Sequence, residues 1–345
     1  MRKITVLLAL VICASVFMAG CGSKSANDVV GDLQGISEDL NSYYGAGVMT
    51  LNMGENPQRY GVEVSYQEPH YYRIALTNME KDITQIVLRN DEGVYVLTPH
   101  LKKSFRFQSD WPSNQGQVYL FQTLAASILE DEQRQFVLDK ENKSYVFDVN
   151  ANYQNHALVR QKIWLDQKSY APKRVEVADA NNQVLVEVQF DQFEFNKSFE
   201  ADSFDMQRNM TSYHLQSIPT MATEGEGDAG EAPASFGVRM PAYTPAGVVH
   251  DGVHDIEFGN GTAVMLQYSG DYQYTIVESH PTDHPVSSEQ GEIIDLGYTI
   301  GILSGDSYKM LTWYDEGVEF RLSSGNLPKE EMMKIAQSVQ GQMGK

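Results

Sequence analysis

The residue with the clearest chemistry in this sequence is Cys21, which ends the stretch Met-Ala-Gly-Cys at residues 18–21. Two cations, Arg2 and Lys3, precede an apolar run over residues 4–17, and small residues lead from that run to the cysteine. This order is typical of a secretory signal peptide with a lipobox. In such a segment the thiol receives diacylglycerol, and the chain is then cleaved before the modified cysteine. We therefore predict lipidation of Cys21.

Cleavage at this point makes residues 1–20 a lipoprotein signal peptide and residues 21–26 an acylated tether. Each buried methylene of an acyl chain contributes about 0.8 kcal/mol, so that two chains give stable anchoring where one does not. The alternative is an uncleaved signal anchor, although the apolar run is shorter than the roughly 20 residues that a membrane span needs. The sequence thus predicts a body held by lipid at the extracytoplasmic face of the cell membrane.

Two pairs of histidines have a spacing that could serve metal binding, because residues four apart share one face of a helix. The pairs are His250 with His254 and His280 with His284. Gly252 and Pro281 argue against a helix at either place. We interpret the four histidines as solvated loop residues and predict no metal site.

Catalytic motifs are missing from the sequence. It contains no phosphate-binding Walker loop, no GxSxG nucleophile elbow and no HExxH zinc motif. The acidic stretches at 130–132 and 224–228 are typical of solvated surface, since a cation site would need further oxygen ligands from elsewhere. We predict a protein that is not an enzyme, without catalytic residues and without a cofactor.

Charge and cysteine content narrow the classes of function. The formal net charge of −20 opposes binding to nucleic acid, which requires a basic surface. The second cysteine, Cys13, lies inside the predicted signal peptide, so the mature chain has neither a disulfide nor a free thiol beside Cys21. Cysteine-based nucleophilic or metal chemistry is therefore excluded.

A helix is predicted directly after the tether, because apolar residues recur there at spacings of four, three and four. They are Val29, Leu33, Ile36 and Leu40, and Asn27 or Asp28 could cap the helix. From Tyr43 the apolar period changes to two, which is typical of strands with one buried face. The strand segments that follow lie at 59–67, 72–76, 83–88 and 94–97.

A second helix interrupts the strands, and its apolar residues again have helical spacing. They are Val118, Phe121, Leu124, Ala125, Ile128 and Leu129. Strands then return at 145–149, 159–165, 175–177 and 184–190, with Asn181-Asn182 as a hairpin turn. Many strands with just two helices predict a curved antiparallel sheet whose concave side the helices cover. Closure into a barrel is the alternative.

Composition divides the mature chain into two domains. Residues 221–235 form an acidic linker rich in Gly and Ala, between a first domain at 27–220 and a second at 236–345. The second domain has strand patterns at 263–268, 272–277, 298–303, 309–313 and 318–322. It ends in a helix that begins near Pro328, with Met332, Ile335, Ala336 and Val339 on one face. We predict a small α+β domain.

The first domain resembles the outer-membrane lipoprotein carrier (LolA) family, through its opening helix, the strands that run through Tyr-Val-Leu-Thr-Pro at 95–99, and the interrupting helix. The whole chain resembles the YdcC-type sporulation lipoproteins of endospore-forming bacteria. Those proteins also end in a block like residues 311–324, followed by segments like 327–332 and 335–338. The resemblance implies a mainly β fold, an unclosed antiparallel β-barrel with a helical lid over an apolar cavity for acyl chains. A LolA carrier is a soluble shuttle, whereas Cys21 would anchor this chain.

The apolar strand faces are the candidates for the wall of such a cavity. Periodicity alone fits a solid core equally well, and the resemblance favours a cavity. The candidate wall residues are Tyr60, Val62, Val64, Tyr66, Ile74, Leu76, Val186, Val188 and Phe190. The candidates for the lid are Phe121, Leu124 and Ile128.

Two functions follow as expectations. The first is the binding of lipid or acyl chains by an anchored lipoprotein that takes part in sporulation. The alternative is a membrane-tethered scaffold or regulator that binds a cell-envelope protein, such as a cell-wall hydrolase, through exposed sheet edges and the second domain.

Overall fold

The structure is a computed structural model that describes residues 24–52, 57–101, 103–107, 111, 117–153, 157–216, 238–258, 261–280, 287–288, 291–315 and 317–339. The predicted signal peptide, Cys21 and the predicted linker at 221–235 lie outside these ranges. The chain divides into two compact units, Met1–Asp39 and Leu40–Lys345. Both sheets of the protein belong to the second unit.

The first unit contains helix α1 (Ala26–Glu38), with Val29 and Leu33 buried as the spacing predicts. Its N-cap is Ser25 rather than Asn27 or Asp28. The Ser25 side chain accepts a hydrogen bond from the Asp28 backbone N–H, and the Asp28 carboxylate accepts one from the Ser25 backbone N–H. The serine and the aspartate three residues later form a capping box, which satisfies two backbone donors that a helix start otherwise leaves unpaired.

The first sheet has twelve strands, and its order is β15-β6-β5-β4-β3-β2-β1-β11-β10-β9-β8-β7. The strands are β1 (Ser42–Leu51), β2 (Gln58–Gln67), β3 (Tyr71–Asn78), β4 (Ile83–Asn90), β5 (Gly93–Thr98), β6 (Lys103–Phe107), β7 (Gln135–Asp139), β8 (Ser144–Asn150), β9 (Arg160–Asp166), β10 (Pro172–Ala178), β11 (Val184–Phe195) and β15 (Ser287–Ser288). A short 3-10 helix, Pro99–Leu101, separates β5 from β6. All neighbours are antiparallel except β15 and β6. The two ends of the sheet do not pair, so the predicted unclosed barrel is confirmed and closure is ruled out.

The second sheet has seven antiparallel strands in the order β12-β13-β14-β19-β18-β17-β16. They are β12 (Val248–Phe258), β13 (Gly261–Gly270), β14 (Tyr274–Ser279), β16 (Glu292–Asp295), β17 (Ile300–Ser304), β18 (Lys309–Asp315) and β19 (Val318–Ser324). Helix α4 (Lys329–Ser338) follows, with Pro328 at its N-cap position. Met332, Ile335, Ala336 and Val339 are buried, which confirms the predicted apolar face.

Two helices flank the first sheet within the second unit, on opposite faces. Helix α2 (Phe121–Glu130) lies against the face that carries the candidate wall residues, and it buries Phe121, Leu124 and Ile128 as predicted. Helix α3 (Met206–Gln216) was not expected. The prediction of just two helices on one concave side is therefore wrong, because the sheet also buries part of its other face.

That other face is covered by α3 and by the segment before it. Phe204 packs into a buried cluster with Ile86, Leu88, Tyr95 and Leu97, and Met206 and Met210 pack against the same cluster. Strand β4 is consequently buried on both faces, which explains why Ile86, Val87 and Leu88 follow one another without alternation.

Buried polar contacts join the two sheets. The Gln85 side chain on β4 accepts hydrogen bonds from the Ile300 backbone N–H at 2.7 Å and from the Thr299 hydroxyl at 3.2 Å. Lys103 on β6 pairs with Glu319 on β19 at 3.3 Å, and both side chains are buried. Because buried polar groups are costly unless they are paired, these contacts fix the position of one sheet on the other.

Candidate functional site

The nine candidate wall residues lie together on one face of the sheet, on strands β3, β2 and β11, and β1 runs between β2 and β11. Strand register shows this directly, because residues opposite each other in antiparallel strands share a face. Val62 pairs with Leu76, and Val64 with Ile74. Every one of the nine side chains is buried, with at most 8% of its surface exposed. The structure thus assembles a continuous apolar wall; that the wall holds acyl chains stays a prediction.

Two glycines of β1 lie in the centre of this wall. Gly45 is opposite Val64, and Gly47 is opposite Val62 and Phe190. A Cβ atom at Gly45 would be 2.9 Å from the Phe193 ring, and one at Gly47 would be 2.1 Å from the Gln189 carbonyl oxygen. The register of β1 and β11 also shifts between Ala46 and Gly47, which is a β-bulge. The wall therefore depends on close approach of the backbones at this point.

Helix α2 is attached to the wall by one amide side chain. The Tyr43 hydroxyl on β1 donates to Gln122 Oε1 at 2.8 Å, and Gln122 Nε2 donates to the Tyr72 hydroxyl on β3 at 3.1 Å. Burial raises the pKa of both tyrosines, so each hydroxyl keeps its proton at neutral pH. Gln122 is thus a neutral bridge that holds α2 across β1 and β3.

Aromatic rings fill the space between α2 and the sheet. Tyr43 stacks on Phe193 with ring centroids 5.2 Å apart, and Phe121 of α2 meets Phe195 edge to face at 4.9 Å. Trp111 is buried and meets Tyr72 edge to face. Such offset and edge-to-face pairs add about 0.5–1.5 kcal/mol each beyond the area that they bury. In the part of the chain described, the face under α2 is filled by side chains.

A small cleft lies between the two sheets. It has a volume of about 40 Å³, and Tyr60 and Leu76 of the wall border it beside Lys81, His100 and Asp315. Burial lowers the pKa of His100 and of Lys81, and it raises the pKa of Asp315. A polar space of this size is suited to a water molecule.

Three carboxyl groups of the second sheet region are shifted by burial. Burial raises the pKa of Glu278 to about 7 and that of Asp295 to about 6. The Arg239 backbone N–H donates to both oxygens of Glu278, at 3.2 and 3.1 Å. The Arg239 guanidinium pairs with Asp315 at 2.8 Å. The contacts of Arg239 thus join the chain before β12 to Glu278 on β14 and to Asp315 on β18.

Sheet edges form the other candidate surface. Strand β7 ends the first sheet, and the Val137 side chain at its centre is 61% exposed. Strand β12 ends the second sheet, and Val249 and Val253 are exposed on it. Neither edge has a partner strand on its outer side in the described chain. Exposed edges of this kind can accept a further strand.

The two predicted histidine pairs differ in where their residues lie. His250 and His254 lie on β12, not in a loop, and both are exposed as predicted. A β-bulge between His250 and Gly252 interrupts the register there. His280 follows β14, and His284 lies outside the described residues. Across the described ranges, no group of three or more His, Cys, Asp or Glu side chains could hold a metal ion.

Sequence reasoning missed the residues that hold the wall and the helix together. The pair Gly45 and Gly47 had a usable signal, since alternating glycines inside a strand indicate close backbone approach. No sequence signal marks Gln122 or Phe193, because a glutamine on a helix and a phenylalanine near a strand end are both common.

No helix in the ranges that the structure describes is long and apolar enough to cross a membrane.

Comparison with known proteins identifies related chains. The family model "Sporulation protein YdcC-like" matches residues 1–204, and the model "Domain of unknown function (DUF4367)" matches residues 240–339. The sporulation protein YdcC of Bacillus subtilis (strain 168) is 39% identical over 348 residues, which cover 100% of this chain and 99% of that protein.

Two solved structures are similar at a lower level. The complex of the CwlD amidase from Clostridioides difficile with the GerS lipoprotein is 14% identical, covers 52% of this chain and 97% of the matched chain, and has a TM-score of 0.27. The LolA superfamily protein NE2245 from Nitrosomonas europaea is 9% identical, covers 54% of this chain and 99% of that chain, and has a TM-score of 0.28. Structural similarities with TM-scores this low do not support a conclusion about function.

Proposed function

This chain belongs to the YdcC-like sporulation protein family, and on that basis we propose that it is a lipid-anchored, extracytoplasmic binding protein of sporulation. The anchor in this proposal is the diacylglyceryl group on Cys21, which the lipobox at residues 18–21 supports. The protein acts by binding and not by catalysis. Its ligand is a lipid or an acyl chain, taken up against the apolar wall of the first sheet.

One observation supports a lipid or an acyl chain as the ligand. Four adjacent strands present a continuous apolar wall. Helix α2 lies against it, and Tyr298, Thr299 and Tyr314 of the second sheet region meet its edge at Tyr60 and Leu76. The wall side chains are buried beneath these elements, and in this proposal an acyl chain enters when α2 moves away. Apolar sites for ligands need such a hydrophobic wall together with a way to open.

Features of α2 favour this movement. Its N-cap residue, Leu120, makes no side-chain hydrogen bond to the helix start. Gln122 makes neutral hydrogen bonds with two tyrosine hydroxyls, and each bond makes a net contribution of about 0.5–1.5 kcal/mol to stability. Lid opening also exposes Leu124 and Ile128, which are buried, so the bound acyl chain has to replace their apolar contacts.

Lipid binding is tested with the soluble chain that lacks residues 1–21. We expect it to carry extractable lipid or to bind a fluorescent fatty acid, and Val64→Arg to abolish binding because it places a charge in the centre of the wall. Gln67→Arg, on the exposed end of the same strand, is the matched control and should bind like the parent. Circular dichroism and thermal unfolding show whether Val64→Arg is still folded. Absence of any bound lipid in the parent protein would refute this function.

The second candidate function is that of a tethered scaffold for a cell-envelope protein, and the exposed edge strand β7 favours it. Val137 at the centre of β7 is the kind of exposed apolar edge residue that a partner strand covers. A charge at this position should block strand addition, whereas the same change at the exposed Val159, which directly precedes the internal strand β9, should not.

This candidate is tested by crosslinking in sporulating cells. The parent and the Val159→Lys variant are expected to yield the same crosslinked partner, and Val137→Lys to lose it. A partner that is retained by Val137→Lys but lost with Val64→Arg would favour the lipid-binding function instead.

The anchor is tested with labelled fatty acid. The parent protein should incorporate the label, and Cys21→Ala should not; the variant should appear in the medium or keep its signal peptide. Label that survives the substitution would show that Cys21 is not the modified residue.

A further inference from the structure

A second concave surface lies on the second sheet, away from the apolar wall. It is a cleft of about 600 Å³ at one end of the sheet. Three chain segments meet there: the turn between β13 and β14, the turn between β17 and β18, and the connection from β19 to α4. Strand register places these at the same end, because Tyr268 pairs with Tyr274, and Ser324 pairs with both Tyr274 and Lys309.

The lining of this cleft is aromatic and polar without basic groups. Tyrosine rings and neutral side chains that both donate and accept hydrogen bonds dominate it. They are Tyr268, Tyr274, Tyr308, Gln267, Gln273 and Asn326. Among the lining residues that the structure describes, the one charged side chain is Asp251, which accepts a hydrogen bond from the Ser269 hydroxyl at 2.8 Å.

This lining selects a class of ligand. A phosphate group or a nucleic acid would need Lys or Arg, which the described lining does not contain. An acyl chain would need aliphatic walls. A sugar ring matches, because its C–H faces carry partial positive charge that packs on the negative face of an aromatic ring. Its hydroxyl groups need partners of the amide and hydroxyl type.

The aromatic groups are held in place before any ligand binds. Tyr268 and Tyr274 are stacked with centroids 4.5 Å apart and an interplanar angle of 12°, and both are buried. Tyr308 is 62% exposed, and its ring lies against Gly325, where a Cβ atom would be 3.5 Å from the ring carbon Cδ2. A glycine at this position lets the ring rest on the backbone, and Tyr308 is one of the residues that line the cleft. Preorganised groups of this kind bind with a smaller entropic cost.

The polar groups are also positioned. Asn326 Oδ1 accepts a hydrogen bond from the Gln273 backbone N–H at 3.0 Å, and Asn326 Nδ2 donates to the Asp271 carbonyl oxygen at 3.3 Å. The Ser324 hydroxyl donates to the Gln273 carbonyl oxygen at 2.7 Å. The turn that carries Gln273 is therefore tied to the connection that carries Asn326, and the two sides of the cleft keep a fixed separation.

We infer that this cleft binds a neutral glycan, with the exposed face of Tyr308 stacked on a sugar ring and the amides of Gln267 and Gln273 bonded to its hydroxyl and acetamido groups. The volume suits a short oligosaccharide, since ligand clefts span about 300–1,000 Å³. The inference does not depend on acyl binding at the first sheet.

The test uses the full chain purified in detergent, with N-acetylglucosamine tetramer as the soluble probe in calorimetry. Tyr308→Ala should weaken binding about tenfold, which corresponds to the loss of one strong aromatic contact. Tyr308→Phe keeps the ring face and should stay within about threefold of the parent. Val249→Ala, an exposed change on the neighbouring edge strand, is the matched control and should bind like the parent.

A second measurement uses an insoluble glycan and shows whether the chain binds the glycan itself or protein attached to it. The chain should sediment with purified peptidoglycan, and protease treatment of that peptidoglycan should leave the result unchanged. Failure to bind both the tetramer and the peptidoglycan overturns the proposal, and so does unchanged binding by Tyr308→Ala. Retention that disappears after protease treatment shows that the cleft binds a protein and overturns it as well.

Discussion

Gly45 and Gly47 show how two residues without side chains shape the apolar wall. The large wall residues could be predicted from the sequence, because strict alternation over Tyr60 to Tyr66 indicates which face of β2 is buried. The depth of the wall could not be predicted from the sequence. It depends on how closely β11 approaches β1, and this is a property of two strands that are far apart in the sequence.

We expect Gly47→Ala to lower the free energy of unfolding by about 2–3 kcal/mol, because its Cβ would overlap a backbone oxygen that cannot rotate away. The matched control is Gly61→Ala in the adjacent β2, where the nearest atom is 3.7 Å from the new Cβ. That variant should be neutral or up to about 1 kcal/mol more stable, since alanine restricts the unfolded chain. Urea unfolding of both variants gives the comparison, and equal effects would contradict it.

Glu278 makes the stability of the protein depend on pH. Burial raises its pKa to about 7 in the folded chain, from the ordinary value of 4.5. Below pH 4.5 both folded and unfolded chains hold this proton. Between pH 4.5 and 7 only the folded chain holds it, so the free energy of unfolding falls as pH rises through this window and levels off above it.

Glu278→Gln should remove this part of the pH dependence, which amounts to about 3 kcal/mol between pH 4.5 and 7. Urea unfolding at several pH values measures it in the parent and in the variant. Glu257→Gln, at an exposed position of β12, is the control and should keep the parental slope. A variant at 278 with the parental slope would show that the pKa of Glu278 is not raised in the folded protein.

At the scale of elements, the strands with clean alternation or continuous apolar runs were predictable, and the short or polar ones were not. Strand β7 is five residues long, and β12 has aspartates and histidines where a buried strand would have apolar residues. Helix α3 has a largely polar sequence, and its Met206 and Met210 pack against the buried cluster of Phe204. Neighbouring strands stabilise β7 and β12, and the buried cluster of Phe204 stabilises α3. A local sequence pattern does not predict such tertiary contacts.

Phe204 anchors α3 to the sheet, and we expect Phe204→Ala to cost about 3–4 kcal/mol of the free energy of unfolding. Hydrogen exchange should show the loss of protection first in α3 and then in β4 and β5, which contribute most of the same cluster. Met79→Ala removes a large side chain that is exposed, so it serves as the control and should change little. Loss of protection spread evenly over the whole chain would contradict the local role of this cluster.

At the scale of the whole molecule, the division of strands between two regions could be predicted, but the contact between the two sheets could not. Gln85 and Lys103 are polar residues in strand segments, and the sequence gives no sign that their partners are Ile300 and Glu319. The ring of Phe105 on β6 also stacks on Tyr314 of β18 at 5.7 Å. These contacts imply that the sheets lose their structure together.

Tryptophan fluorescence can test this, because the three tryptophans report different regions. The double variant Trp111→Phe with Trp313→Phe keeps Trp164 on β9 of the first sheet. The double variant Trp111→Phe with Trp164→Phe keeps Trp313 on β18 of the second sheet. We expect both variants to give one urea transition with the same midpoint. Two midpoints separated by more than the fitting error would show that the sheets unfold independently.

The pairing of β1 with β11 has a consequence for the order in which the first sheet can form. Strands β1 to β6 pair in chain order, as do β7 to β11, so each half can assemble from local hairpins. The seam between β1 and β11 joins residues near 45 to residues near 190, and loop closure over such a distance is slow. A chain that emerges from a secretion channel amino terminus first would present β1 long before β11 is available. Under the proposed export its apolar wall would then stay uncovered, and in this interval the chain would be most exposed to aggregation and to proteases.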